Sequence, residues 1–305
     1  MGTASEKPVA LVGLGSMGGG MARALLKAGF TVHGFDVDPA REAAFDADGG
    51  AGAHVSALSH VGCVILVVVN AEQTETVLFS PGRFGETGLA GALPEDAAVV
   101  SCATVPPAFA RHMAERIGPS RYVDAPISGG AAKAAIGALT ILASGAPEAM
   151  ARAEPALDAM AATLYRLGDE AGAGSAMKAV NQLLAGVHIA AAAEAITFGM
   201  SQGLSPGDMV DVISKCAGTS WMFENRGPHI VDGDYTPLSA VDIFVKDLGL
   251  VGDIARSARF SAPLASAALQ QFLAASGSGF GGEDDSAVAK VYARNAGLTL
   301  PGETA

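Results

Sequence analysis

The stretch GSAMKAVNQLLAGVHIAAAAEAITFGM, residues 174–200, is almost wholly Ala, Leu, Ile, Val, Phe, Met and Gly, yet it carries Lys178, Asn181 and Gln182 near its start. On a helix these three lie at i, i+3 and i+4 and share one face. A buried ammonium costs several kcal/mol unless something compensates, and an unpaired buried amide costs about 1–3 kcal/mol. That face therefore looks either onto water, with Lys178 snorkelling from a helix rim, or onto a site. His188 falls on roughly the same side, but ten residues along a helix is about 15 Å. It reads as a satisfied core histidine.

A second constellation is Gly13-Leu14-Gly15-Ser16-Met17-Gly18, which follows the apolar run PVALVGLG (8–15) and opens a helical segment. The three glycines suit a tight bend, a close backbone approach to pyrophosphate and close helix–strand packing, while the helix N-terminus offers N–H groups to phosphates. Asp36 ends the next apolar run at the distance expected of a residue that accepts from both ribose hydroxyls and repels a 2′-phosphate. No Arg follows it directly, although Arg41 lies on the next helix, so the pattern favours NAD over NADP; the plainer reading of Asp36 is a turn former before Asp38-Pro39. Asn70 and Thr104 each follow an apolar run. Asn70 either touches the cofactor or only starts a turn, and Thr104 is an N-cap that also faces the nicotinamide. Ser128-Gly129-Gly130, after Asp124-Ala125-Pro126, forms either an ordinary loop or a turn whose N–H groups hold a carboxylate.

These residues need elements to carry them. TVHGFD (31–36), VGCVILVVV (61–69), AAVVSCA (97–103) and YVDAPI (122–127) are further β runs, separated by helical segments such as 17–29 and 106–118. That alternation predicts a parallel sheet with helices on both faces, and 138–145 and 163–168 add further strands. Beyond about residue 172 the pattern is helical: a long helix over about 175–201, then stretches near 206–216, 219–228, 240–258, 262–276 and 285–295, with Ser239 and Asp242 as an N-cap arrangement. The expected fold class is α/β: a Rossmann-type doubly wound sheet over residues 1–173, then an all-α substrate and oligomerisation domain over 174–305 that starts with the long helix.

Half of the 305 residues are hydrophobic and only 16% are charged, which argues against disorder. A net charge of −12 argues against nucleic acid or an anionic membrane as partner, and requires local positive groups for an anionic substrate. Three cysteines without paired spacing imply a reducing interior, and six scattered histidines imply no metal site. MGTASEKP is short and polar, unlike a signal peptide. The apolar tract 183–200 contains His188 and Glu194 and reads as a helix buried almost all round instead of a membrane span. The expected protein is soluble, cytoplasmic and a homodimer or homotetramer.

Taken together, GLGSMGGGMARALLKAG, DAPISGG, GSAMKAVNQ and FVKDLGL resemble the β-hydroxyacid dehydrogenases, the group that contains 3-hydroxyisobutyrate dehydrogenase. The resemblance spans nearly the whole chain in order. NQLLAGVHIAAAAEA, SWMFENR, VDGDYTP, SAVDIFVKDLGLV and EDDSAV are most similar to its L-threonate dehydrogenase branch, which oxidises the acid at C2 with NAD. The resemblance implies a catalytic Lys178; substrate binding by Ser128, Gly129, Gly130 and Asn181; and a cofactor cleft lined by Gly13, Leu14, Gly15, Ser16, Met17, Gly18, Asp36, Asn70 and Thr104, with Lys246 reaching the cofactor from the helical domain. Many members carry two asparagines where this chain has Asn181-Gln182, so the substrate pocket differs from that of 3-hydroxyisobutyrate enzymes. A small anionic hydroxy acid is the implied substrate. The alternatives are a 3-hydroxyisobutyrate-type dehydrogenase or a small-aldehyde or glyoxylate reductase of the same fold. Imine-reducing relatives typically lack the lysine, and a non-catalytic NAD sensor would not need it.

Overall fold

The computed structural model describes residues 7–303, so the reading of the polar start of the chain falls on residues mostly outside that range. The chain forms two compact units, divided between Lys178 and Ala179.

In the first unit the apolar runs become strands and the amphipathic segments helices. They follow as β1 (Val9–Val12), α1 (Ser16–Lys27), β2 (Val32–Phe35), α2 (Pro39–Ala47), β3 (Cys63–Leu66), α3 (Ala71–Phe79), α4 (Gly88–Ala92), β4 (Ala98–Ser101), α5 (Pro107–Ile117) and β5 (Tyr122–Asp124). Their five strands form one parallel sheet in the order β2-β1-β3-β4-β5. Every residue of β1 to β5 is buried, because helices cover both faces; this is why the strands read as unbroken apolar runs and not as alternation. Val9 and Leu11 pack into one core cluster and Ala10 and Val12 into the other. The chain reverses direction at β1, whose neighbours are β2 and β3, so ligands of such a sheet bind beyond the carboxyl ends of those strands.

The remaining strands depart from the expected single sheet. β6 (Ile127–Ser128), β7 (Leu139–Ala143) and β8 (Ala161–Arg166), with α6 (Gly130–Ala135) and α7 (Pro147–Met160) between them, make a separate three-stranded sheet in which β6 runs antiparallel to β7. The run YVDAPI is cut because Pro126 has no N–H to continue a ladder, and the chain there changes sheets.

The second unit is helical. The long helix α8 (Ala173–Ser201) runs into it, followed by α9 (Pro206–Ile213), α10 (Trp221–Asp232), α11 (Val241–Ser257), α12 (Pro263–Ala275) and α13 (Val288–Ala296). Ala185, Ile189, Ala193 and Ile196 of α8 pack into its core with Phe223, Phe244, Leu248 and Phe272. Among the described residues only α8 is long and apolar enough to cross a membrane, and half of its most apolar window is buried within the fold. In the single chain Met177, Val180, Leu184 and Phe198 of this helix are exposed. The Ser239–Asp242 cap is corrected. The N-cap of α11 is Ala240, without a side-chain bond, because Val241 N–H donates to Glu283 O at 2.9 Å, and the Asp242 carboxylate accepts from Ser276 Oγ at 2.6 Å.

Candidate active site

In the first unit, the predicted residues cluster by topology. The turn Gly13–Gly18 follows β1, Asp36 follows β2, Asn70 follows β3 and Thr104 follows β4, all beyond the carboxyl ends of strands of the parallel sheet, while Ser128 ends β6 of the small sheet and Gly129–Gly130 come directly after it.

Sterics explain the turn. Gly13 has φ +99°, and a Cβ on Gly18 would stand 1.7 Å from Gly13 O. No side chain caps α1 and no acidic residue lies in its first turn. An ideal Cβ on Gly15 would have only the Arg41 guanidinium within 4 Å, at 3.6 Å, so the backbone there is open to a close-lying group. An uncapped, glycine-walled helix N-terminus suits a pyrophosphate, and the residues present fit a dinucleotide.

Asp36 is held firmly. Its side chain is 4% exposed; Oδ2 accepts from Leu14 N–H at 2.6 Å and Oδ1 from Asp38 N–H at 2.9 Å. The turn-forming role leaves room for a ligand, since a carboxylate has about four lone-pair sites and two remain. Arg83 bonds Glu42 and Asp36 O, and Glu42 accepts from Asp36 N–H at 2.8 Å, which pins the backbone of this corner.

Two local readings change. Asn70 is the N-cap of α3, its Oδ1 accepting from Gln73 N–H at 2.8 Å while Gln73 Oε1 accepts from Val69 N–H at 2.9 Å. Thus the turn-starting role is the one seen, and its amide N–H groups are what it offers beyond the cap. Thr104 is not an N-cap: α5 begins at Pro107 with Pro106 before it and no side-chain cap, because two prolines supply no N–H to receive one. Thr104 is half-buried two residues before that helix boundary. Gly129 and Gly130 have φ +140° and +78°, conformations that favour glycine and suit a turn that could present N–H groups to an anion.

Lys178 is 8% exposed, and an anchor missed from sequence sets its place. Asp124, fully buried at the end of β5, accepts from Gly172 N–H at 3.0 Å, Ser175 N–H at 2.8 Å and Ser175 Oγ at 2.7 Å; Ser144 Oγ accepts from Gly174 N–H at 3.0 Å. A carboxylate at a helix start satisfies otherwise unpaired N–H groups and complements the dipole. Burial, the largest influence, pushes the Asp124 carboxyl above its ordinary value, opposed by the bonds from Ser175 and Gly172. A Cβ on Gly174 would stand 2.2 Å from Leu142 O, so the first turn of α8 sits directly on the small sheet. Lys178 projects one turn later. The signal available in sequence was the Asp of DAPISGG itself.

In the second unit, α8 and α11 share a polar chain. Asn181 Nδ2 donates to Gln182 Oε1 at 2.9 Å, Gln182 Nε2 donates to Asp247, and Asp247 also pairs with Lys246. Gln182 and Asp247 are buried. The structure thus links the predicted Asn181 and Lys246 through two residues outside the predicted set, and gives Lys246 a carboxylate partner. The amides of the opening stretch are paired and not orphaned. His188 is corrected from core residue to half-buried lining of a cavity of about 430 Å³ with Met209, Ile213, Ser220 and Phe223, which contains none of the predicted site residues.

Comparison with known proteins agrees with this layout. Residues 8–168 match the model of the NAD binding domain of 6-phosphogluconate dehydrogenase, and residues 172–292 match that described as NAD-binding of NADP-dependent 3-hydroxyisobutyrate dehydrogenase. The chain is 52% identical to an L-threonate dehydrogenase of Cupriavidus necator, over 98% of this chain and 99% of that protein. It is 47% identical to one of Escherichia coli, over 99% of each. It also resembles the crystal structure of a 3-hydroxyisobutyrate dehydrogenase from Salmonella typhimurium, with TM-score 0.85 and 48% identity, over 94% of this chain and all of that one. The glycine turn at the sheet's switch point, the buried lysine on the long helix and this full-length similarity lead to one conclusion: the chain belongs to the β-hydroxyacid dehydrogenases, the NAD-binding oxidoreductase family that includes 3-hydroxyisobutyrate dehydrogenase.

Proposed function

We propose that the protein oxidises L-threonate at C2 to 2-oxo-tetronate with NAD, and that Lys178 is its catalytic base. The observation that carries this is a lysine nearly excluded from solvent on a helix whose first turn is clamped to Asp124; proteins named L-threonate dehydrogenase, 45–52% identical over nearly their full length, support the substrate. NAD, which Gly13–Gly18 and Asp36 would hold, would supply the hydride acceptor for the substrate carbon. Lys178, as the neutral amine, takes the hydroxyl proton, and in the reverse direction its ammonium returns it. A free lysine, with a pKa of about 10.4, is well under 1% neutral at pH 7, and removal from water favours the neutral form. The Ser128–Gly130 turn holds the substrate carboxylate, Asn181 binds the substrate, and Gly13–Gly18, Asp36, Asn70 and Thr104 bind the cofactor.

The test is oxidation of L-threonate, 3-hydroxyisobutyrate, L-serine and D-glycerate with NAD and with NADP, followed by reduced-nicotinamide absorbance. L-Threonate with NAD gives the highest kcat/KM; a preference for 3-hydroxyisobutyrate would overturn the substrate assignment and leave the chemistry.

Lys246 contributes to cofactor binding in this reading, so Lys246→Ala raises KM for NAD and slows turnover. Unchanged kinetics would reduce its role to its pair with Asp247. We assign the protein to the cytoplasm, where its free, buried Cys63, with a thiol pushed up to about 12 by burial, stays reduced. The exposed Met177, Val180, Leu184 and Phe198 fall on one stripe of α8, which supports a homodimer or homotetramer. Light scattering that gives a monomer mass would refute that assembly.

A further inference from the structure

We propose that Arg41 is a specificity-determining residue of the cofactor site: its guanidinium borders the place where a 2′-phosphate on the adenosine ribose would lie, and Asp36, with Asp38 beside it, denies that place to NADP. This rests on the reading of Asp36 as the ribose-binding residue.

The corner holds several charges whose positions assign distinct roles. Arg83 is committed to Glu42, Asp36 O and Ala53 O. Arg41 is not held in this way. Its Nη1 is 3.6 Å from Asp36 Oδ2 and its Nε is 3.5 Å from Asp38 Oδ2, with half of the side chain exposed. Those separations exceed good hydrogen-bond lengths, so the guanidinium sits beside both carboxylates without being locked to either. The same Nη1 would stand 3.6 Å from a Cβ built on Gly15. One cation therefore borders both the carboxylate that grips the ribose and the turn that takes the pyrophosphate.

Each Asp36 oxygen has one backbone N–H and one lone pair left, which matches two ribose hydroxyls. A 2′-phosphate extends from one of those hydroxyl oxygens by a single P–O bond and so meets whatever borders the carboxylate, namely Arg41. With Asp36 present the phosphate faces a buried negative charge that its two N–H donors keep from turning away. Remove that charge and a fork of guanidinium donors is already in place, with no basic residue to be added at the fully exposed Val37.

Direct binding tests this without reliance on the substrate. Calorimetric titration of NAD and NADP is made on the native protein and on Asp36→Ser, Arg41→Ala and the double variant. Asp36→Ser weakens NAD and tightens NADP by at least about 10-fold, and adding Arg41→Ala abolishes most of the NADP gain while weakening NAD by a smaller factor. If the double variant binds NADP as tightly as Asp36→Ser, or if Asp36→Ser weakens NAD with no NADP gain, the role of Arg41 is overturned and the reading of Asp36 stands. If Asp36→Ser moves neither nucleotide, both fall. Should Asp36→Ser not fold, Arg41→Ala in the otherwise native chain decides: it weakens adenosine 2′,5′-bisphosphate at least about 5-fold more than ADP, and equal weakening overturns the proposal.

Discussion

Lys178→Ala is expected to lower turnover with L-threonate at least about 10²-fold, the loss typical of removing a proton acceptor from the transition state. NAD binding changes little, because Gly13–Gly18 and Asp36 lie on other elements. Alanine itself favours the helix by a few tenths of a kcal/mol, so the variant remains folded. Steady-state kinetics with thermal melts of Lys178→Ala and Lys178→Met check this. Near-normal turnover, or unfolding of the alanine variant alone, would make Lys178 structural and send the search for the base elsewhere.

Arg226→Met is expected to destabilise the helical unit by about 3–5 kcal/mol, the cost of leaving a buried charge without its partner. Arg226 Nε and Nη2 donate to the two oxygens of Asp285 at 2.6 and 3.1 Å, and Nε lies 3.8 Å from Asp284 Oδ1, all three side chains being buried. Burial, the largest influence, already pushes the Asp285 carboxyl up to about 6 despite the guanidinium. A folded pKa raised above the unfolded value of about 3.9 means that this group's stabilisation is full below that value and lost as pH rises through the folded one. Without Arg226 the carboxyl rises further, so the variant loses more stability at pH 8 than at pH 5. Calorimetric melts at the two pH values show it, with Tm lowered on the order of 10 °C at pH 8. Equal, small losses at both would mean that the carboxylate finds solvent or another partner.

The Arg226–Asp285 pair shows how sequence and structure divided the work. SWMFENR and EDDSAV stood out as motifs, and helices over both stretches followed from periodicity. That one motif's arginine clamps the other's aspartate is a contact over 59 residues, which local spacing does not encode. Asp124 is similar: DAPISGG was noticed for its glycines, while the aspartate that fastens α8 acts on Gly172 and Ser175 about fifty residues later.

By itself the sequence determined what depends on period and short spacing. Unbroken apolar runs meant strands covered on both faces, the glycine turn before a helix pointed to a dinucleotide-binding fold, and Lys178 with Asn181 and Gln182 meant one helix face. Only the tertiary structure decided which polar groups are already spent. It gave Gln182 to Asp247 across 65 residues and Lys246 to that same carboxylate. It cut the YVDAPI strand at Pro126 and carried its end into a second sheet. It also set Arg41 beside Asp36. The physical reason is that a polar group's partners are chosen by proximity in space, and in this fold that proximity joins residues dozens of positions apart, where no local pattern reaches.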